Sequence, residues 1–226
     1  MRFNIMNHKG QGAIEYLLII AAAILVVAIV ILAITGALTG GQNQTTTSQT
    51  QQQNAMTQLE IQLELAKGHI QIASPTDIPT VGNWQEGKTY FLSENIASPT
   101  NYFINLYNAK NVILDCMGRS LTFLGGSGFP ISGTSTTNVT IKNCVFEDQF
   151  SSFYFNNPTN LTIDNVQVNN LEYGAIIQGG TVAIKNSDFC ATTENGIYCY
   201  YSPAVTTENT KAYNPYGCGV TFDPCP

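Results

Sequence analysis

The chain has 226 residues, enough for one large domain or a smaller domain with extra segments. Fifteen Asp and Glu against nine Lys and Arg leave a net charge of -6, and only 11% of the residues are charged. No cluster of Lys and Arg is available to neutralise phosphates, which excludes a nucleic-acid-binding surface of the usual kind.

The N-terminal segment carries Arg2 and Lys9, and an 18-residue run without charge or amide follows from Leu17 to Ile34. With Ala13, Ile14 and the tail to Leu38 it is long enough for a membrane-spanning helix. A helix apolar on every face needs an apolar environment, and nothing else in the chain is apolar enough to surround it. No Lys or Arg follows until Lys67, so positive-inside asymmetry predicts a single pass with the N-terminus in the cytoplasm and the remainder outside.

Just before the run stands a Gly-Gln junction, Gly10-Gln11, and one carboxylate, Glu15, follows four residues after Gln11. A lone carboxylate at the head of an apolar helix is costly in hydrocarbon and calls for a partner. The segment resembles the class III signal peptide of archaeal type IV pilin-like proteins, whose pattern is Q-x-S-x-E-x-x-x-L. Gln11 and Glu15 match it, while Ala13 stands at the Ser position and Ile19 at the closing Leu. The resemblance implies a prepilin peptidase cutting between Gly10 and Gln11 and a hydrophobic helix that stays in place for assembly. It also implies that Glu15 pairs with the N-terminal amine of Gln11 on a neighbouring pilin subunit.

Past the helix, QNQTTTSQTQQQNA is a low-complexity polar tract that reads as a stalk or as the exposed continuation of the helix. Between Met56 and Ala73 two periods compete. Leu59, Ile61, Leu63 and Leu65 alternate as in a strand, whereas Met56, Leu59, Leu63 and Ala66 keep helical spacing. The expectation is a helix up to Gly68 and an extended start after it.

A repeat dominates the remainder. VILDC from Val112, VTIKN from Val139, LTIDN from Leu161, VAIKN from Val182 and VTTEN from Val205 align with start-to-start spacings of 27, 22, 21 and 23 residues. That period, with a short β-patterned core in each unit, is what one coil of a parallel β-solenoid requires. The first column (Val112, Val139, Leu161, Val182, Val205) and the third (Leu114, Ile141, Ile163, Ile184, Thr207) should point inward, and the second, Ile113 to Thr206, outward. The fourth column alternates in charge through Asp115, Lys142, Asp164, Lys185 and Glu208, which suits strands stacked about 4.8 Å apart. The fifth, Cys116 followed by Asn143, Asn165, Asn186 and Asn209, sits where the strand turns, and Asn tolerates a left-handed backbone and can ladder its amide.

A second set, SFYF from Ser152, GAII from Gly174, GIYC from Gly196 and a vaguer GCGV from Gly217, suggests entry to another sheet of the same coil. The stretch GKTYFLSENI, Gly87 to Ile96, and the following NYFINLYNAKNVILDCMG resemble the opening of right-handed parallel β-helices of the carbohydrate-binding and sugar-hydrolase type, NosD-like proteins included. The repeat arithmetic gives the solenoid; the resemblance adds the handedness.

Chemistry on such a fold requires grouped carboxylates, with Arg or Lys for a lyase. Glu147, Asp148, Asp164, Asp188 and Glu172 are the candidate acids, but Asp164 belongs to the charge ladder and Glu147-Asp148 to a turn, and Arg119 is the only Arg after the leader. Tyr154, Tyr173, Tyr198, Tyr200, Tyr201, Tyr213 and Tyr216 are candidates for stacking on sugars or for subunit packing. His8 and His69 lie far apart and near no Cys pair, so neither a metal nor a cofactor is expected.

Six Cys suit an extracytoplasmic domain with staples. Cys116 and Cys144 fall one column apart on adjacent coils, while Cys190, Cys199, Cys218 and Cys225 crowd the C-terminal coils, where they would cap the open end. Asn43, Asn138 and Asn160 begin N-x-S/T tripeptides, candidates for glycosylation.

The expected organisation is a cleaved leader (1–10), a transmembrane and assembly helix (11–38), a Gln/Thr-rich lead-in (39–86) and a right-handed parallel β-helix (87–226). The expected role is a non-enzymatic, pilin-like surface subunit, anchored in the cell membrane until it assembles into an extracellular filament. Its partners are the peptidase, other pilin subunits, and the glycans or surfaces met by the display domain. The alternative is a membrane-tethered carbohydrate-binding or carbohydrate-active protein.

Overall fold

The computed structural model describes residue 20 and residues 51–98, 104–123, 129–147, 151–169, 171–201 and 203–225. Gly10, Gln11, Glu15, Asn43, Asp148 and, Ile20 apart, the apolar run from Leu17 to Ile34 lie outside these. The chain divides into two units, Met1–Glu60 and Ile61–Pro226.

Residues 51–66 are helical (α1), so the helical period wins over the alternating one. Gln, Glu, Leu, Met and Ala are good helix formers, and the segment contains no Gly or Pro. Gly68, at φ +76°, ends it. The amide of Gly68 donates to Leu65 O at 2.9 Å and that of His69 to Glu64 O at 3.2 Å, the paired bonds of a Schellman cap. Glu64 fastens the same turn, accepting from Lys67 Nζ at 2.6 Å and meeting His69 Nδ1 at 2.5 Å.

The Lys67 hydrogen bond, against the opposing effect of burial, holds the Glu64 carboxyl below its ordinary range, with the His69 hydrogen bond adding to it. A lowered acid contributes stability that is present above its unfolded pKa and lost as the pH falls through the folded value. Amide hydrogen exchange in this turn is therefore expected to be faster in Glu64→Gln than in the parent at neutral pH. The two should converge once the pH falls through the lowered pKa of Glu64; a difference that persists in stronger acid would contradict the pairing.

Eighteen strands, numbered along the chain, make three parallel sheets among the described residues. Sheet I contains β1 (Ile70–Ile72), β2 (Thr89–Leu92), β5 (Ile113–Asp115), β8 (Thr140–Lys142), β11 (Leu161–Asp164), β14 (Thr181–Lys185) and β17 (Ala204–Glu208). Sheet III contains β3 (Ile96–Ser98), β6 (Ser120–Phe123), β9 (Val145–Glu147), β12 (Gln167–Asn169), β15 (Asp188–Phe189) and β18 (Lys211–Ala212). Sheet II contains β4 (Ile104–Asn105), β7 (Ile131–Thr134), β10 (Ser151–Asn156), β13 (Tyr173–Gln178) and β16 (Ile197–Tyr200). From β2 onward the chain visits sheets I, III and II in that order, coil after coil, as a three-faced solenoid does. Sheet I begins at Ile70, inside the segment read from sequence as lead-in.

The five repeat columns are in register. Leu114 pairs with Ile141, Ile141 with Ile163, and Ile163 with Ile184. All four are fully buried; at the last coil Thr207, opposite Ile184, is only half-buried. The charged column forms ion pairs from Lys142 Nζ to Asp115 Oδ2 at 3.0 Å and from Lys185 Nζ to Glu208 Oε2 at 3.8 Å. Partly exposed pairs of this kind fix register more than they add stability. The column begins one coil earlier with Phe91, which lies opposite Asp115 and is buried although it is no part of the solenoid core.

Asn143, Asn165, Asn186 and Asn209 all adopt positive φ, between 46° and 57°. Their amides form two short ladders, Asn165 to Asn143 (2.8 Å) to Asp115 (2.8 Å) and Asn209 to Asn186 (3.2 Å) to Asp164 (2.9 Å). A carboxylate therefore ends each ladder.

Cys116 is bonded to Cys144, Cys190 to Cys225 and Cys199 to Cys218. They close loops with sequence separations of 28, 35 and 19, each removing roughly 3–4 kcal/mol of unfolded-chain entropy in the chain-entropy account. The second and third pin the C-terminal tail across the last coil, where Asp223 N donates to Thr210 O at 2.9 Å.

Candidate functional site

Sheet II carries the surface with the most chemical character. Its outward column runs Ser132, Tyr154, Ile176, Tyr198, and Tyr216 extends it through a bridge to Tyr198. The next outward column runs Asn156, Gln178, Tyr200. At the C-terminal coil both columns end in tyrosines. Tyr154 stays apart from them, with its ring 5.0 Å from Phe129 and its hydroxyl donating to Gln178 Oε1 at 3.0 Å.

The rings of Tyr198 and Tyr216 stack with centroids 5.1 Å apart and planes 20° from parallel. Tyr200 lies 4.3 Å from Tyr198, Tyr173 meets it edge-on at 6.3 Å, and Tyr201 follows 6.4 Å beyond Tyr200. Tyr216 is held there by the backbone, donating to Ile197 O at 3.0 Å and accepting from Cys199 N at 2.8 Å. Two residues on, Cys218 ties the tail to Cys199. The hydrogen bond with Tyr200, with burial second, raises the Tyr198 phenol above its usual range. Burial raises that of Tyr173, and the negative charges of Glu172 and Glu194 push in the same direction. The Tyr173 and Tyr198 phenols therefore stay neutral and able to donate at physiological pH.

The vaguer end of the second repeat needs correcting. Ser152, Gly174 and Gly196 do fall in register, but Tyr216 pairs with Tyr198, so Gly217 lies opposite Cys199 and not opposite Gly196. The GCGV segment is three residues out of phase and is cap, with no strand of sheet II in it.

A family model of the right handed beta helix region matches residues 102–225, and one of the class III signal peptide matches residues 9–35. The chain belongs to the right-handed β-helix family. Its N-terminal signal is of the type IV pilin-like class III kind. No curated protein and no solved structure matches the chain.

Within this β-helix Glu147 and Asp188 share sheet III, two coils apart, while Asp164 lies on sheet I. Glu147 lies on sheet III opposite Asn169, and Asp164, on sheet I, accepts from Asn186. Asp188 accepts from Cys190 N at 2.9 Å. Glu172 and Glu194 are brought together, since Glu194 N donates to Glu172 O at 3.0 Å and both act on Tyr173. Nε of Arg119 is buried with no hydrogen-bond partner. Among the described residues no group of three or more His, Cys, Asp and Glu could hold a metal ion.

Asn138 and Asn160 are exposed, at φ 52° and 54°, but they are rungs of a third ladder. Asn160 Nδ2 donates to Asn138 Oδ1 at 3.1 Å, Asn138 Nδ2 to Asn111 Oδ1 at 2.9 Å, and Asn111 Nδ2 to Glu86 Oε1 at 2.7 Å. A glycan on either asparagine would substitute the nitrogen that donates to the next rung. The sequons thus coincide with a structural use of Asn that the tripeptide alone does not reveal.

Proposed function

We propose that the chain is a pilin-like subunit of an archaeal type IV pilus or related surface filament, with the β-helix as its display and adhesion domain. The observation that carries this is the joining of a class III signal peptide at residues 9–35 to a β-helix at residues 102–225 in one chain. A prepilin peptidase would cut between Gly10 and Gln11, the apolar helix would anchor the subunit N-in and C-out, and assembly would bury helix against helix. Glu15 would then face the Gln11 amine of the next subunit, where a charge pair is worth more in hydrocarbon than in water. On this reading the β-helix binds and does not catalyse. The structural engagement of Asp164 and Asp188, and the placement of Glu147 on a different sheet from Asp164, support that.

N-terminal sequencing of the protein from sheared surface filaments should find Gln11 as the first residue. Glu15→Ala should be cleaved normally yet be depleted from filaments roughly ten-fold or more, because it removes the charge partner and leaves the scissile junction. An intact leader in the filament fraction would overturn the signal assignment, and normal incorporation of Glu15→Ala would overturn the pairing.

A further inference from the structure

One turn of the solenoid has a composition that its own geometry does not explain. Where each coil leaves sheet II, the residue turns through positive φ: Asn108 at 55°, Ser135 at 54°, Asn157 at 50°, Gly179 at 62° and Tyr201 at 55°. The backbone shows these five to be equivalent. Asn108 N donates to Thr134 O, Ser135 N to Asn156 O, Asn157 N to Gln178 O and Gly179 N to Tyr200 O, each to the carbonyl just before the next member. Asn and Gly tolerate this conformation; a bulky aromatic is strained in it.

Tyr201 is nevertheless there, 84% exposed, with its ring meeting only that of Tyr200 at 6.4 Å. It gains almost no burial to offset the backbone cost. Strain at an exposed side chain that packs, among the described residues, only on another exposed tyrosine is the kind of observation from which a binding role is inferred. The neighbours point the same way. Beyond residue 110 the exposed large apolar side chains among the described residues are all tyrosines: Tyr200, Tyr201, Tyr213 and Tyr216.

We propose that Tyr201, Tyr200, Tyr198 and Tyr216 form a stacking platform for a neutral glycan chain. This names the ligand class of the display domain and rests on that reading. The exposed rings of Tyr200, Tyr201 and Tyr216, with Tyr198 stacked against Tyr216, offer apolar surface to sugar C–H groups and phenols to sugar hydroxyls, a combination that suits a polyhydroxylated ring better than an aliphatic protein anchor. An interface with a protein would need a desolvated core of larger, continuous apolar area. Residues 171–184 and 186–210 contain no Lys or Arg, while Glu172 and Glu194 stand beside Tyr173. That balance repels an acidic polysaccharide and leaves neutral hexose or N-acetylhexosamine chains as the class that fits. The Cys199–Cys218 bond holds Tyr216 in the platform before any ligand arrives, which lowers the ordering cost of binding.

The test is calorimetric titration of the purified full-length chain, in a detergent without a sugar headgroup, with linear neutral hexose and N-acetylhexosamine oligosaccharides, and separately with poly-L-lysine and alginate. The parent should bind at least one neutral oligosaccharide and neither polyion. Tyr201→Asn restores the residue type of Asn108 and Asn157, so its Tm should be unchanged or higher while binding falls roughly ten-fold. Tyr201→Phe keeps the ring and should retain most of the affinity. The proposal is overturned if no neutral oligosaccharide binds, if Tyr201→Asn binds as the parent does, or if only poly-L-lysine binds, which would assign the surface to a cationic partner. None of these outcomes depends on leader cleavage or filament assembly, so they leave the pilin reading to its own test.

Discussion

Ile141→Asp is expected to abolish the folded β-helix at ambient temperature, read as loss of the cooperative thermal transition and of the β-sheet circular dichroism band. Ile141 is fully buried in the middle coil, with Leu114 and Ile163, both equally buried, directly above and below it. The substitution removes apolar burial worth about 2–5 kcal/mol and places a carboxylate where no cation can reach it, at a further cost of several kcal/mol. A domain of ordinary stability has about 5–15 kcal/mol to lose. Ile141→Val removes one methylene without adding charge and should cost only about 1 kcal/mol. Thr140→Asp, one residue earlier on the outward column, should leave a melting curve close to the parent's. If Ile141→Asp melts like the parent, the inward assignment of this column is wrong.

That column was readable from sequence because sheet I repeats its chemistry. Its strands are long enough to show alternation, and two independent signals, the charge alternation from Asp115 to Glu208 and the Asn at each turn, mark the same register. Sheet III leaves no such trace. Its strands are two to four residues long, and its inward column of Leu121, Phe146, Val168, Phe189 and Ala212 changes size at every coil. A strand that contributes one buried side chain has no period to detect. The GCGV segment misled for a related reason: in a Gly-rich tail, small residues recur without pairing, and only the Tyr198–Tyr216 bridge fixes the phase.

The candidate surface was legible only as a pool of seven tyrosines. Which of them meet depends on stacking between coils and on the tail folding back, neither of which is local in sequence. Tyr201 did carry a signal, since it breaks a turn column of Asn, Ser, Asn and Gly, but that column becomes visible only once sheet II is in register. Column logic put Cys116 and Cys144 on adjacent coils but could not pair the other four, because Cys190 and Cys199 belong to the coil while Cys218 and Cys225 lie in a tail with no repeat.

Gly174→Ala is expected to destabilise the β-helix and to disable the tyrosine surface together. A Cβ at Gly174 would overlap the carbonyl oxygen of Gly196 on the next coil and stand 2.6 Å from Cδ1 of Phe189. The first obstacle is backbone and cannot rotate away, and that same carbonyl accepts from Ala175 N at 2.9 Å. Gly196 is confined in turn, because a Cβ there would lie 2.5 Å from Phe189 O and 2.8 Å from Tyr213 N. Relief therefore means separating β13 from β16, the strand that carries Tyr198 and Tyr200, at an overpacking cost of about 1–3 kcal/mol or more. Gly82 provides the control, since it has positive φ but nothing within 4 Å of its added Cβ, so Gly82→Ala should cost only about 1 kcal/mol of backbone strain. Denaturant melts of the two variants separate close approach from backbone conformation. Equal losses would mean that the coils yield at this corner and that the spacing of β13 and β16 is not what keeps the platform together.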